Sequence, residues 1–192
     1  MCRRFYADAK TAEEIVKIAG KTAQPALGSS GDIFPSGMAA ILLGKEHRLR
    51  AARMLWGFPG FHGKGLIINA RAETVLERRM FRDSVEHRRC VIPAKGFYEW
   101  NRDREKYFYE KEDEPVLWMA GFYNRFQDQD RFVILTTAAN ASVAPVHGRM
   151  PLILERKELE SWVLDDKAAD VLLHKTPALL KSSAEYTQLS LF

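Results

Sequence analysis

The sequence predicts an α+β chain of mostly antiparallel strands that form a twisted or barrel-like sheet. Three observations lead there. Residues 89–137 hold five short runs of β character, each bounded by turn residues, and short strands in close succession favour a curved sheet. Helical periodicity is confined to stretches near 11–20, 73–81 and 156–175. The chain has 192 residues, 46% of them hydrophobic, enough to fill a real core, so a single domain over 1–192 is expected.

The elements follow in order. Thr11 and Glu14 have the spacing of a capping box. Ile15 and Ile18 then share one face of a short helix that Gly20 can close. Residues 21–37, rich in Gly, Ser and Pro, read as a loop. Strands are expected at 38–43 and 48–56 with a turn near Gly44. A loop over 57–65 carries Phe58, Pro59, Phe61 and His62. A short strand at 66–69 leads to a helix at 73–81. Strands are expected at 89–93, 97–101, 106–110, 116–123 and 131–137, and another at 151–154. Helices at 156–164 and 166–175 follow, with Leu159, Trp162 and Val163 on one face.

Composition narrows the class. No run approaches the roughly 20 apolar residues of a membrane span, and MCRRFYADAK at the N-terminus lacks the apolar stretch of a signal peptide. Cys2 and Cys90 are too few for a disulfide framework, and no C-x-x-C pair is present. His47, His62, His87 and His174 show no ligand spacing. No metal, cofactor or membrane partner is therefore expected, and the chain is expected to be monomeric and cytoplasmic. Charge is uneven: residues 1–90 carry +7 and residues 91–192 carry −3. A basic face with nearby aromatics suits single-stranded nucleic acid, where cations follow phosphates and rings stack on bases. A solvated basic surface is the plainer reading of the same charge.

Four stretches of the chain carry candidate chemistry. Cys2 follows Met1 directly, so loss of Met1 would leave an amine and a thiol on adjacent carbons. Such a 1,2-aminothiol condenses with an aldehyde to an imine and then closes a thiazolidine, which neither an internal cysteine nor a lysine can do. The α-amine has a reference pKa of roughly 7.7–8.0, and Arg3 and Arg4 are expected to favour the thiolate. An inert buried thiol is the ordinary alternative. Asn69, Arg71 and Glu73 alternate along I-I-N-A-R-A-E-T and share a face if extended. Asn69 can donate and accept, and Arg71 offers a fork for phosphate; a polar strand end entering a helix would look the same. Glu99 lies between Tyr98 and Trp100, where burial would raise its pKa into a useful acid–base range; the plainer reading is an exposed strand carboxylate. His147, in a loop between Pro145 and Pro151, titrates near neutrality, though a lone loop histidine is commonly just solvated.

Taken in order, M-C-R-R-F at 1–5, W-G-F at 56–58, I-N-A-R-A-E-T at 68–74, G-F-Y-E-W at 96–100 and H-G-R-M-P at 147–151 resemble the signature of the SOS-response-associated peptidase (SRAP) family. The resemblance implies a curved β-sheet core with flanking helices and a basic channel for single-stranded DNA. It implies an autoproteolytic enzyme that removes Met1 and links Cys2 to abasic sites, with nucleoid association in the cytoplasm. It also implies that Asn69 orients the Cys2 amine and the opened sugar, that Glu99 acts as general acid–base, and that His147 transfers a proton at the sugar oxygen. Arg71 and Arg149 would bind phosphate, and Arg3 and Arg4 would contact DNA. The sequence departs from the family pattern where Arg3 replaces the usual Gly, where Phe58 and Phe61 stand in for stacking tryptophans, and where Asp32 occupies a loop that usually carries Asn. Two other readings compete. One is a thiol peptidase acting on other proteins, with Cys2 as nucleophile. The other is a non-covalent single-stranded nucleic-acid module that would bind equally well without Cys2.

Overall fold

The computed structural model describes residues 2–28, 30–60 and 64–185. Its strands are β1 (Phe5–Ala7), β2 (Gly31–Ile33), β3 (Met38–Lys45), β4 (Arg48–Trp56), β5 (Phe58–Pro59), β6 (Leu66–Ile67), β7 (Asn69–Arg71), β8 (Arg89–Ala94), β9 (Gly96–Trp100), β10 (Lys106–Glu110), β11 (Leu117–Phe126), β12 (Gln129–Ala138), β13 (Arg149–Pro151), β14 (Ile153–Leu154) and β15 (Lys181–Glu185). Its α-helices are α1 (Ala9–Ala19), α2 (Arg79–His87), α3 (Leu159–Leu164) and α4 (Asp166–Leu172).

Strands β12, β4, β3, β8 and β11 pair in that order, and β11 returns to β12, so five strands close into a barrel. Alternate residues divide into two hydrophobic clusters, as the two-residue period of a strand requires. Leu42, Leu49, Val91, Ala120 and Val133 join Ile15, Val85 and Trp162 of the helices. Helices can pack only on the outside, so the opposite parity points inward: Ile41, Met54, Ile92, Met119, Phe132 and Ile134. A five-stranded barrel is too narrow for a ligand, and side chains fill it. At Gly121 an added Cβ would sit 2.5 Å from both Ile92 and the Val133 carbonyl, so only glycine fits there.

The second sheet has the order β15-β10-β9-β1-β2. Phe5, Phe97 and Tyr109 from it join the inner cluster together with Cys2. Two substitutions of one strand by another at the barrel's rim place the site. β4 runs parallel to β12 only as far as Trp56, and β7 then takes its place beside β12. On the other edge of β12, β13 pairs Thr136, Thr137 and Ala138 with Pro151, Met150 and Arg149. The end of β12 is thus flanked by Asn69–Arg71 and Arg149–Pro151.

Several expectations need correction. The capping box of α1 is Asp8 with Thr11, not Thr11 with Glu14, so the helix starts earlier. The β3–β4 turn falls at Glu46 and His47, both at positive φ. Gly44 lies within β3, where a Cβ would meet Leu164 at 2.8 Å; its absence lets α3 approach the barrel. The region expected as a loop at 21–37 contains a 3₁₀ turn and β2, because Tyr6 pairs with Asp32. The helix expected at 73–81 divides into a 3₁₀ turn over Ala72–Glu77 and α2. The strand expected at 151–154 is two, β13 and β14, on different partners.

Candidate active site

Cys2 sits in the inner cluster with no exposed surface. The segment that follows it lies beside β9: the Tyr98 amide donates to the Arg4 carbonyl at 3.0 Å, and Phe5 pairs with Phe97. The thiol points back along its own chain, its Sγ 3.7 Å from the Arg4 carbonyl oxygen. Burial, and then the Glu99 charge, push the thiol well above the usual cysteine range. Burial thus opposes the thiolate that Arg3 and Arg4 were expected to favour. The Arg4 guanidinium is turned away to the Asp32 carboxylate and lies over Phe34 and Tyr98, 4.9 and 4.7 Å from their ring centroids. Arg3 is exposed.

Asn69 reaches Cys2 from β7. Its Nδ2 donates to the Cys2 carbonyl at 2.8 Å. Its Oδ1 is buried with no hydrogen-bond partner among the described residues. The strand beneath is fixed firmly: the Ile68 carbonyl accepts from Trp56 Nε1 at 3.0 Å and from the Ile134 amide at 3.1 Å. Ala70 faces the core, so Asn69 and Arg71 share the opposite side, with Arg71 exposed.

Glu99 is 3% exposed, because β9 buries four of its five residues. Burial raises its pKa, while the charges of the chain's amino terminus, His147 and Arg3 pull the other way. A carboxylate placed so is a stronger base than an exposed one.

His147 closes the loop between β12 and β13. Its Nδ1 is 3.0 Å from both the backbone N and the carbonyl O of Arg149. The neutral ring accepts the Arg149 N–H at Nδ1 and carries its proton on Nε2; the charged ring can donate to the carbonyl. The loop is fastened at two points. Ala139 donates to the Gly148 carbonyl, and Asn140 Nδ2 donates to the carbonyls of Pro177 and Ala178 at 3.1 and 2.8 Å.

Arg149 does not present a free fork. Its Nη1 and Nη2 hold the two Glu73 oxygens at 2.7 and 2.9 Å, and Nη2 also donates to the Thr136 carbonyl at 2.6 Å. In this structure that pairing is a clamp that ties the His147 loop to the 3₁₀ turn after β7. Asp32, opposite Arg4, is held below the usual carboxylate range: burial would raise it, but the Arg4 hydrogen bond and charge outweigh that.

Phe58 is also corrected. It has no exposed surface and packs on Phe122 and Phe126, with centroids 5.6 and 4.8 Å away, so it offers no face to a base. Phe61 lies outside the described residues. The structure thus gathers Cys2, Asn69, Glu99 and His147 and leaves Arg71 exposed nearby. Sequence reading missed the Glu73–Arg149 clamp, whose partners are 76 residues apart.

A cavity of about 410 Å³ includes Asp32, Phe34 and Arg53 in its lining but none of Cys2, Asn69, Glu99 or His147. Among the described residues no group of three His, Cys, Asp or Glu is placed to hold a metal ion, and no helix is long and apolar enough to cross a membrane.

Known proteins resemble this chain in sequence and in fold. Residues 1–190 match the family model for SOS response associated peptidase (SRAP). The abasic site processing protein YedK of Escherichia coli is 27% identical over 177 residues, covering 85% of this chain and 79% of that protein. The abasic site processing protein YoaM of Bacillus subtilis is 28% identical, covering 70% of this chain and 65% of that protein. Among solved structures, a Bacteroides thetaiotaomicron protein superposes with a TM-score of 0.79 at 23% identity, covering 97% of this chain and 93% of that one. A phage-related protein of Bordetella bronchiseptica superposes with a TM-score of 0.77 at 18% identity, covering 96% of this chain and 94% of that one.

Proposed function

Because the chain belongs to the SOS response associated peptidase family, we propose that it is an abasic-site processing protein that removes Met1 and bonds Cys2 covalently to abasic sites in single-stranded DNA. The names of its relatives support the lesion. The chemistry is supported by one observation above all: Asn69 grips the Cys2 carbonyl while its own carbonyl oxygen is a buried acceptor with no partner among the described residues. An amine N–H at Cys2, or a sugar hydroxyl, supplies the donor that this acceptor lacks.

Hydrolysis of the Met1–Cys2 peptide bond consumes one water and frees the Cys2 amine. An abasic sugar rests mostly as a closed hemiacetal. The Glu99 carboxylate takes the proton from the C1 hydroxyl while the His147 imidazolium returns one to the ring oxygen, and the aldehyde opens. The Cys2 amine attacks the aldehyde carbon, and one water leaves to give the imine. The thiol then adds across the C=N bond: sulfur bonds to carbon and its proton goes to nitrogen. The product is a thiazolidine, formed with net loss of one water. A thiol kept neutral by burial suits this last step, because it brings its own proton. Arg71, exposed beside Asn69, pairs a backbone phosphate.

Mass spectrometry of the product tests this reading. The N-terminal peptide of the adduct should lack Met1 and carry the abasic fragment on Cys2 with one water lost. An adduct mapped to any lysine instead would overturn it.

A further inference from the structure

Tyr109, on β10, takes no part in the steps above. It has no exposed surface, and its ring stacks on Phe97 with centroids 5.3 Å apart and planes 18° from parallel. Among the described residues its hydroxyl has no hydrogen-bond partner. A phenylalanine would keep the stack and spare the molecule a bare buried hydroxyl, which is unfavourable unless something accepts from it.

The register shows what lies in reach. Tyr109 pairs with Phe97 and Tyr107 pairs with Glu99. Tyr109 and Glu99 are therefore diagonal neighbours on one face, roughly 7–8 Å apart along the backbone grid. Two long side chains at that separation can share a single oxygen between them. The same face packs on Cys2. The groups that act on Glu99 are Cys2 and Arg3 of the leading segment, the amino terminus, His147 of its loop and Tyr109 of β10. The Cys2 thiol already faces the Arg4 carbonyl. Burial, with smaller contributions from Tyr107 and Glu99, pushes the Tyr109 phenol up to about 12, so it remains a donor throughout the physiological range.

We propose that Tyr109 is a positioning residue for Glu99: its hydroxyl donates to the one oxygen that bridges the two side chains, a water in the resting protein and the C1 hydroxyl of the sugar in the complex. The bridge donates onward to the Glu99 carboxylate. It favours the ionised form that burial opposes, and it sets the sugar hydroxyl where Glu99 removes its proton. The part played in crosslinking rests on the function proposed above; the bridge to Glu99 does not.

Tyr109→Phe in the full chain separates the two. The Glu99 carboxyl carbon is followed by NMR with labelled glutamate, its signal identified by its loss in Glu99→Gln. Its titration midpoint should rise by about one pH unit in Tyr109→Phe. The acidic limb of the crosslinking rate should rise with it, while affinity for intact single-stranded DNA stays the same. A Glu99 midpoint equal in the two proteins would overturn the proposal. Failure of the wild type to form any adduct would instead overturn the function proposed above, and the midpoint would still decide the role of Tyr109.

Discussion

The side-chain amide of Asn69 donates to the carbonyl of Cys2 at 2.8 Å, joining the rim of the barrel to the second residue of the chain. In the proposed function, the bond fixes the direction in which the Cys2 amine would point after loss of Met1. Asn69→Ala should slow crosslinking roughly 10- to 100-fold, the rate equivalent of losing a buried hydrogen bond of about 1–3 kcal/mol. Affinity for an uncleavable abasic analogue should change far less. Single-turnover crosslinking beside a binding titration measures both.

Arg71 and Arg149 should behave differently although both are arginines near the site. Arg71→Ala should weaken single-stranded DNA binding and flatten its salt dependence by about 0.7 in log–log slope, one phosphate contact. Arg149→Lys keeps the charge and loses the fork that grips Glu73. It should leave the salt slope intact and slow crosslinking, because the His147 loop loses its clamp. Binding isotherms at several salt concentrations, with crosslinking rates, check the pair.

Glu73 makes that clamp sensitive to acid. The Arg149 hydrogen bond holds its carboxyl below the ordinary value of 4.5, against a smaller opposing effect of burial. A depressed carboxylate pKa stabilises the fold at pH above the unfolded-state value, and the contribution fades as pH falls through the folded-state value. The melting temperature of wild type should exceed that of Glu73→Gln at pH 7, and the difference should vanish as pH falls below about 4.5. Thermal melts across that range give the comparison.

Glu99→Gln should lower the crosslinking rate by roughly 10²- to 10⁴-fold with little change in DNA affinity. A double change with His147→Ala should remove nearly all the remaining rate. The stability effect has the opposite sign. Burial raises the folded pKa of Glu99, so wild type loses stability as pH rises above the unfolded value, and Glu99→Gln should melt higher at neutral pH. A rate within about twofold of wild type would return Glu99 to an ordinary strand carboxylate.

Much of this was legible in the sequence where the signal is local. Strand alternation put Glu99 on the Phe97 side, and β10 falls at 106–110 as its pattern predicts. The 3.6-residue spacing found Leu159, Trp162 and Val163, all buried in α3. What the sequence hid is set by partners far along the chain. Phe58 reads as a stacking ring until Phe122 and Phe126 close over it. Asp32 reads only as a departure from the family's Asn until Arg4 pairs with it. Cys2 has two arginines beside it in sequence, which favour a thiolate; burial, decided by β9 and β7, reverses the sign. β15 was missed because K-S-S-A-E has no hydrophobic alternation and is strand only by pairing with β10.

In the proposed function an N-terminal aminothiol at Cys2 makes the covalent bond. Its most direct test is a denaturing gel of wild type and Cys2→Ala after incubation with single-stranded DNA carrying one abasic site. Wild type should give a heat-stable shifted band. Cys2→Ala should give none while retaining most of its non-covalent affinity for the same DNA. An undiminished heat-stable band from Cys2→Ala would rule out Cys2 as the linking residue.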